Sequence, residues 1–127
     1  MKKSARFTCV LAAAVLLAPC VASAESFTSL TKKGYIVGKM GQGKAGRQGW
    51  ILANGDSKFF CKLKASIAYV DSKKMVSILG SGRMITLDRA TYEQNSGGPD
   101  ASIPRLADLK AGRLRPEDVG ACLPLRG

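Results

Sequence analysis

The chain has 127 residues, with 20 Lys and Arg against 9 Asp and Glu, no histidine, and a formal net charge of +11. That length suits one small domain with a single core and leaves little room for a second. The lack of histidine removes Ser-His-Asp and Cys-His catalysis, and it leaves no N/S ligand set for a tetrahedral zinc site.

A basic start (Lys2, Lys3, Arg6) leads into an apolar run from Phe7 to Ala18, then Pro19 and the tract Cys20-Val21-Ala22-Ser23-Ala24. This is the layout of a secretory signal peptide, with Ala22-Ser23-Ala24 matching the A-x-A cleavage preference. The run is well short of the ~20 residues a permanent membrane-spanning helix needs. Residues 1–24 are therefore predicted to be removed after export to the periplasm or beyond, with no transmembrane segment in the mature chain. Leu17-Ala18-Pro19-Cys20 resembles a bacterial lipoprotein box, with Pro19 where that box carries Gly, Ala or Ser. Lipid anchoring through Cys20 is the alternative processing.

Cleavage after Ala24 leaves seventeen Lys and Arg against nine Asp and Glu, a net +8. So large a charge on so small a domain favours polyanions. In an exported protein these are anionic lipid headgroups or acidic envelope polymers rather than nucleic acid; the plain alternative is a charge that only keeps the chain soluble. Cys9 and Cys20 leave with the signal, so Cys61 and Cys122 remain. An even pair in an oxidising compartment reads as one disulfide, and so long a loop is worth roughly 4 kcal/mol on the chain-entropy estimate.

Residues 25–33 are polar and read as a flexible lead-in. Gly34–Gly38 reads as a short strand and Gly41–Gly49 as a glycine-rich loop. Trp50–Ala53 and Lys58–Lys64 flank Asn54-Gly55, the signal of a type I′ hairpin. In the second arm Phe59, Cys61, Leu63, Ala65, Ile67 and Tyr69 fall on one predicted core face, and Lys58, Phe60, Lys62, Lys64 and Ser66 on the other. Ser72-Lys73-Lys74 and Gly80-Ser81-Gly82 read as turns into Met75–Leu79 and Arg83–Leu87. Strands at this spacing imply an antiparallel meander or a small barrel. The pattern breaks at Asn95–Pro99. Beyond it Ser102 is placed to cap a helix starting near Pro104 and ending at Gly112, with Ile103, Leu106, Leu109 and Leu114 as its apolar stripe. Pro116–Val119 reads as one further turn, and Cys122 as the clip that ties this tail to the sheet. The expected fold is mainly β: a β domain over 25–94, then a linker and short helical tail over 95–127.

Gly41-Gln42-Gly43-Lys44-Ala45-Gly46 fits G-x-G-x-x-G, and Gly38–Lys44 fits part of a P-loop. A strand follows instead of a helix, however, and Ala45 stands where a P-loop needs Ser or Thr for Mg²⁺. No nucleotide or other cofactor is expected. A simpler anion site remains there, because Lys39, Lys44 and Arg47 share the loop with its amides. The second candidate is the Lys58, Lys62, Lys64 face with Phe60 among the lysines; its plain reading is a solvated sheet face. Asp56, Asp71, Asp88 and Glu93 show no spacing that pairs two carboxylates on one element, so no enzyme is expected.

In size, single disulfide and meander pattern the chain is similar to small periplasmic β proteins, a group that includes inhibitors of host lysozyme. Ser81-Gly82-Arg83 resembles an inhibitory loop in those three residues. The +8 charge runs against that target, because the common animal lysozymes are themselves strongly basic. Two readings emerge: a non-enzymatic envelope module that binds an anionic surface or polymer, or an interaction factor, such as an inhibitor or accessory subunit, for an envelope protein.

Overall fold

The computed structural model describes residues 24–43 and 46–125; the predicted signal, Cys20, Lys44 and Ala45 lie outside them. β-Branched and aromatic residues on either side of Gly55-Asp56 pair as β2 (Gln48–Asn54) and β3 (Ser57–Leu63), with β1 (Ile36–Gln42) on β2. β7 (Val119–Pro124) pairs with the free side of β3, giving a four-stranded antiparallel sheet in the order β1-β2-β3-β7. β4 (Ile67–Tyr69), β5 (Lys74–Ile78) and β6 (Met84–Asp88) form a separate three-stranded antiparallel sheet. The mainly β expectation holds, with two sheets rather than one continuous meander.

The core lies against the inner face of the four-stranded sheet. Trp50, Leu52, Phe59, Cys61, Val119 and Cys122 are buried there against Ala68, Val76 and Ile78 of the three-stranded sheet and Leu106 and Leu109 of a helix. The Trp50 indole N–H donates to Leu109 O at 2.7 Å, a carbonyl in the last turn of the helix that also accepts from Gly112 N–H at 3.2 Å, so the buried indole is partnered. The opposite face of the three-stranded sheet has its own cluster, in which Tyr69, Met75 and Ile103 pack with Ile67, Leu87 and Tyr92.

Cys61 and Cys122 are joined, with Cα atoms 3.9 Å apart. Cys122 exchanges both backbone hydrogen bonds with Glu25. It therefore faces Cys61 as a non-hydrogen-bonded pair, the position in an antiparallel ladder where side chains approach most closely.

Several sequence expectations are corrected. The lead-in is not free: α1 (Phe27–Lys32) is capped by the Ser26 hydroxyl, which accepts from Ser29 N, and it buries Leu30. The hairpin exists, but its two loop residues are Gly55 (φ 63°) and Asp56; Asn54 pairs with Ser57 and its side-chain amide reaches Lys33 O at 3.0 Å. The long alternating arm breaks after Leu63 and its parity slips. Ala68 therefore faces the main core with Cys61, while Ile67 and Tyr69 face the second cluster. The chain enters a different sheet there, and period-two counting cannot see a change of sheet. A helix unread in the sequence, α2 (Arg89–Ser96), runs from an Asp88 cap to Gly97. α3 spans Leu106–Ala111 and ends at Gly112 as expected, but Ser102 does not cap it; its hydroxyl donates instead to Asp100. The clipped tail contributes a strand, so Cys122 sits within the sheet rather than beside it.

Candidate functional site

Because side chains alternate along a strand, the register assigns every residue of the four-stranded sheet to one face. Ile36, Ala53 and Lys58 form one row across the outer face. Ile51, Phe60 and Leu123 form the next, level with the bulge at Gly38 and Lys39; Gly41, Gly49 and Lys62 form the third. Ile36, Ile51 and Leu123 are 73 %, 45 % and 57 % exposed. This face thus carries large apolar side chains in the open, bracketed by lysines.

The glycines have a packing reason. The Phe60 ring lies over β2 and the turn before it, where a Cβ on Gly49 or Gly43 would meet the ring within 2.9 Å. Lys39, Gln42, Ile51 and Phe60, with Gly38, Gly41 and Gly49 between them, line a shallow groove of about 260 Å³ beside it. Of the G-x-G-x-x-G stretch, Gly41 and Gln42 are the end of β1, and Gly43 and Gly46 lie between β1 and β2. Within that turn Gly43 N–H donates to Arg47 O at 2.8 Å and Gly46 N–H to Gly43 O at 3.0 Å. Those two amides are already partnered.

The predicted site residues fall into two groups. Lys58 and Lys62 flank Phe60 on the outer face, and the Lys62 stem passes over Gly120 of β7, where a Cβ would meet it at 3.1 Å. Lys39 reaches the same face from the bulge and lines the groove. Arg47 and Lys64 are brought together elsewhere, in a hollow of about 190 Å³ at the junction of the two sheets, walled by Leu63, Ser66 and Leu79. Lys44 lies outside the described residues. Among those described, Lys39, Arg47, Lys58, Lys62 and Lys64 form no ion pair.

The acids are occupied elsewhere. Glu25 pairs with Lys33 at 2.8 Å, and that bond, helped by the Ser29 hydroxyl, holds its carboxyl below the usual range. Asp71 is lowered by the amides of Lys73 and Lys74, Asp88 by the hydroxyl and amide of Thr91, and Asp100 by those of Ser102. A third hollow lies among Arg105, Arg113 and Arg115, but two of these cations are matched. Arg113 meets Asp108 at 2.8 Å; Arg115 meets the buried Asp118 at 2.9 Å and also donates to Ala101 O and Ser102 O. Arg115 therefore ties the loop before α3 to the start of β7. Among the described residues no group of three or more His, Cys, Asp or Glu is placed to hold a metal ion. No described helix is long and apolar enough to cross a membrane.

Sequence reading found Lys58, Lys62 and Phe60 on this face, placed Lys64 with them although it lies beside Arg47, and missed Ile51 and Leu123. Ile51 alternates with Trp50 and Leu52, so its outward position was legible once those two were taken as core. Leu123 was not, because β7 was unread. Compared with family models, curated proteins and solved structures, the chain matches none.

Proposed function

We propose that this chain is an exported, non-enzymatic module that binds an anionic surface or polymer through the outer face of its four-stranded sheet. The observation that carries the reading is the charge imbalance of one contiguous segment. Residues 36–66 hold six Lys and Arg against a single acid, Asp56, and the five of those cations that are described have no carboxylate partner. A cluster of unneutralised cations attracts polyanions over roughly a Debye length, ~10 Å at 0.1 M salt. The non-enzymatic half rests on the lack of histidine and on the joining of Cys61 to Cys122, which withdraws both thiols from nucleophilic chemistry.

The test is retention on an immobilised acidic polysaccharide and on a neutral one across a salt gradient. Retention on the acidic matrix alone, lost by ~0.3 M salt as screening shortens, supports the reading. Equal behaviour on both matrices rejects it. Salt-resistant capture of a single envelope protein would favour the interaction-factor reading instead.

A further inference from the structure

Within that reading, on which this step rests, we infer that the ligand is an anionic lipid bilayer, entered by the row Ile51–Phe60–Leu123 while Lys39, Lys58 and Lys62 meet the headgroup phosphates. Three observations carry it.

The row is continuous across β2, β3 and β7, and its two ends are substantially exposed. Ile36 adds a third exposed apolar side chain, on β1, two residues from the bulge. An exposed apolar patch of this kind marks an interaction surface.

The outer-face rows contain Ile, Ala, Lys, Gly, Phe and Leu; the one carboxamide beside them, Gln42 at the edge of the groove, already donates to Ser81 O at 3.1 Å. Recognition of a sugar polymer needs hydrogen-bonding partners for its hydroxyls, and these rows supply only ammonium groups and hydrocarbon. Hydrocarbon bracketed by cations matches an interface where acyl chains lie beneath phosphates, the pattern of peripheral membrane contacts. Lys58 and Lys62 stand one row to either side of the apolar one, a spacing of about 7 Å from the strand rise. A lysine stem also lets its ammonium rise to the headgroups while the neighbouring side chains sink.

A second copy of this chain is disfavoured as the occupant of the face. Two such faces in contact would oppose their own lysines, and like charges brought together oppose association.

The experiment uses the chain from Glu25 to Gly127, which holds every described element, checked by intact mass. It is sedimented with vesicles of phosphatidylglycerol and phosphatidylcholine in equal parts, with vesicles of phosphatidylcholine alone, and in parallel bound to soluble alginate. The expected result is partitioning to the phosphatidylglycerol vesicles. Lys58→Gln and Lys62→Gln should each weaken it about fivefold, from ~1 kcal/mol per cation at an anionic surface. Ile51→Ser with Leu123→Ser should weaken it about tenfold or more, as buried apolar groups are lost. A Leu123→Trp reporter should shift to the blue and be quenched by brominated acyl chains, against the constant background of the buried Trp50.

Salt-sensitive binding to alginate without vesicle binding overturns the bilayer inference and leaves the anionic-polymer reading standing. Vesicle binding that is indifferent to the Ile51→Ser, Leu123→Ser pair, with no quenching of the reporter, also overturns it, since contact is then through charge alone. Binding to neither ligand rejects the parent reading as well.

Discussion

The two sheets are built from neighbouring stretches of one chain and differ in nearly every surface property. Residues 36–66, which supply β1, β2 and β3, carry a net +5; residues 67–100, which supply β4 to β6 and α2, hold four cations and four acids. The four-stranded sheet is cross-linked through Cys61 and Cys122, and its outer face lies open. The three-stranded sheet has no cross-link within it, and both its faces are packed, one on the shared core and one on Tyr92 and Ile103. Its acids serve its own turns: Asp71 accepts from Lys73 N and Lys74 N, and Asp88 caps α2. A segment with no net charge has less to offer a polyanion than one at +5. On the proposed reading, the smaller sheet serves as scaffold and the larger makes the contact.

The largest test of this contrast is removal of the disulfide. Replacing Cys61 and Cys122 together with Ala should lower the free energy of unfolding by about 4 kcal/mol, measured by denaturant titration. Hydrogen exchange should rise first in β3 and β7; an unchanged stability would remove the cross-link from the comparison. Next, Arg115→Met should cost roughly 2–4 kcal/mol, because it strands the Asp118 carboxylate, only 2 % exposed, without its cation. That loss should be read in the melting temperature and should loosen the join between α3 and β7.

Acid should separate the two sheets. The folded-state pKa values of Asp71, Asp88 and Asp100 are lowered, so their stabilising contribution is complete above the ordinary value of 3.8 and is lost as pH falls below it. Exchange at amides of α2 and of the β4–β5 turn should therefore rise below about pH 4, ahead of β1 and β2, whose segment holds one acid. With no histidine in the chain, stability should be flat between about pH 6 and 8. The smallest effect sharpens the contrast from the other side. Lys58→Gln, Lys62→Gln and Lys64→Gln together should change stability by no more than about 0.5 kcal/mol in thermal melts, as exposed groups without partners. The same triple change should depress retention on an acidic matrix.

Much of this was legible in the sequence wherever local chemistry decides. Alternation gave Phe59 and Cys61 inward and Lys58 and Lys62 outward, and Gly112 marked the end of α3. What escaped was set by distant partners. α1 has two apolar residues at helical spacing, Phe27 and Leu30, too few for periodicity, although Ser26 and Gly34 punctuate it. α2 buries no residue fully, so its stripe is faint and only Asp88 and Gly97 announce it. β7 has no alternation of its own that would predict pairing with β3; its place depends on an edge that only the folded hairpin offers. The apolar row of the candidate site joins Ile51, Phe60 and Leu123 from three strands, so no window of sequence displays it.

The late arrival of β7 also bears on how the sheet is assembled. Cys61 and Cys122 are 61 residues apart, so synthesis delivers β3 long before the strand that covers its outer edge. In that interval one side of the hairpin presents unpaired amides and carbonyls, flanked by Phe59 and Phe60, together with a thiol lacking its mate. Such an edge is a template for joining other chains, and lysines on it are a recurrent safeguard. Lys58 and Lys62 lie on that edge strand, and two nascent hairpins meeting there would confront each other's positive charge. A chain stopped before β7 should accordingly aggregate faster when both lysines are Gln, followed by light scattering; equal rates would deny them this role. The same cations would then shield the growing chain before they serve the finished one.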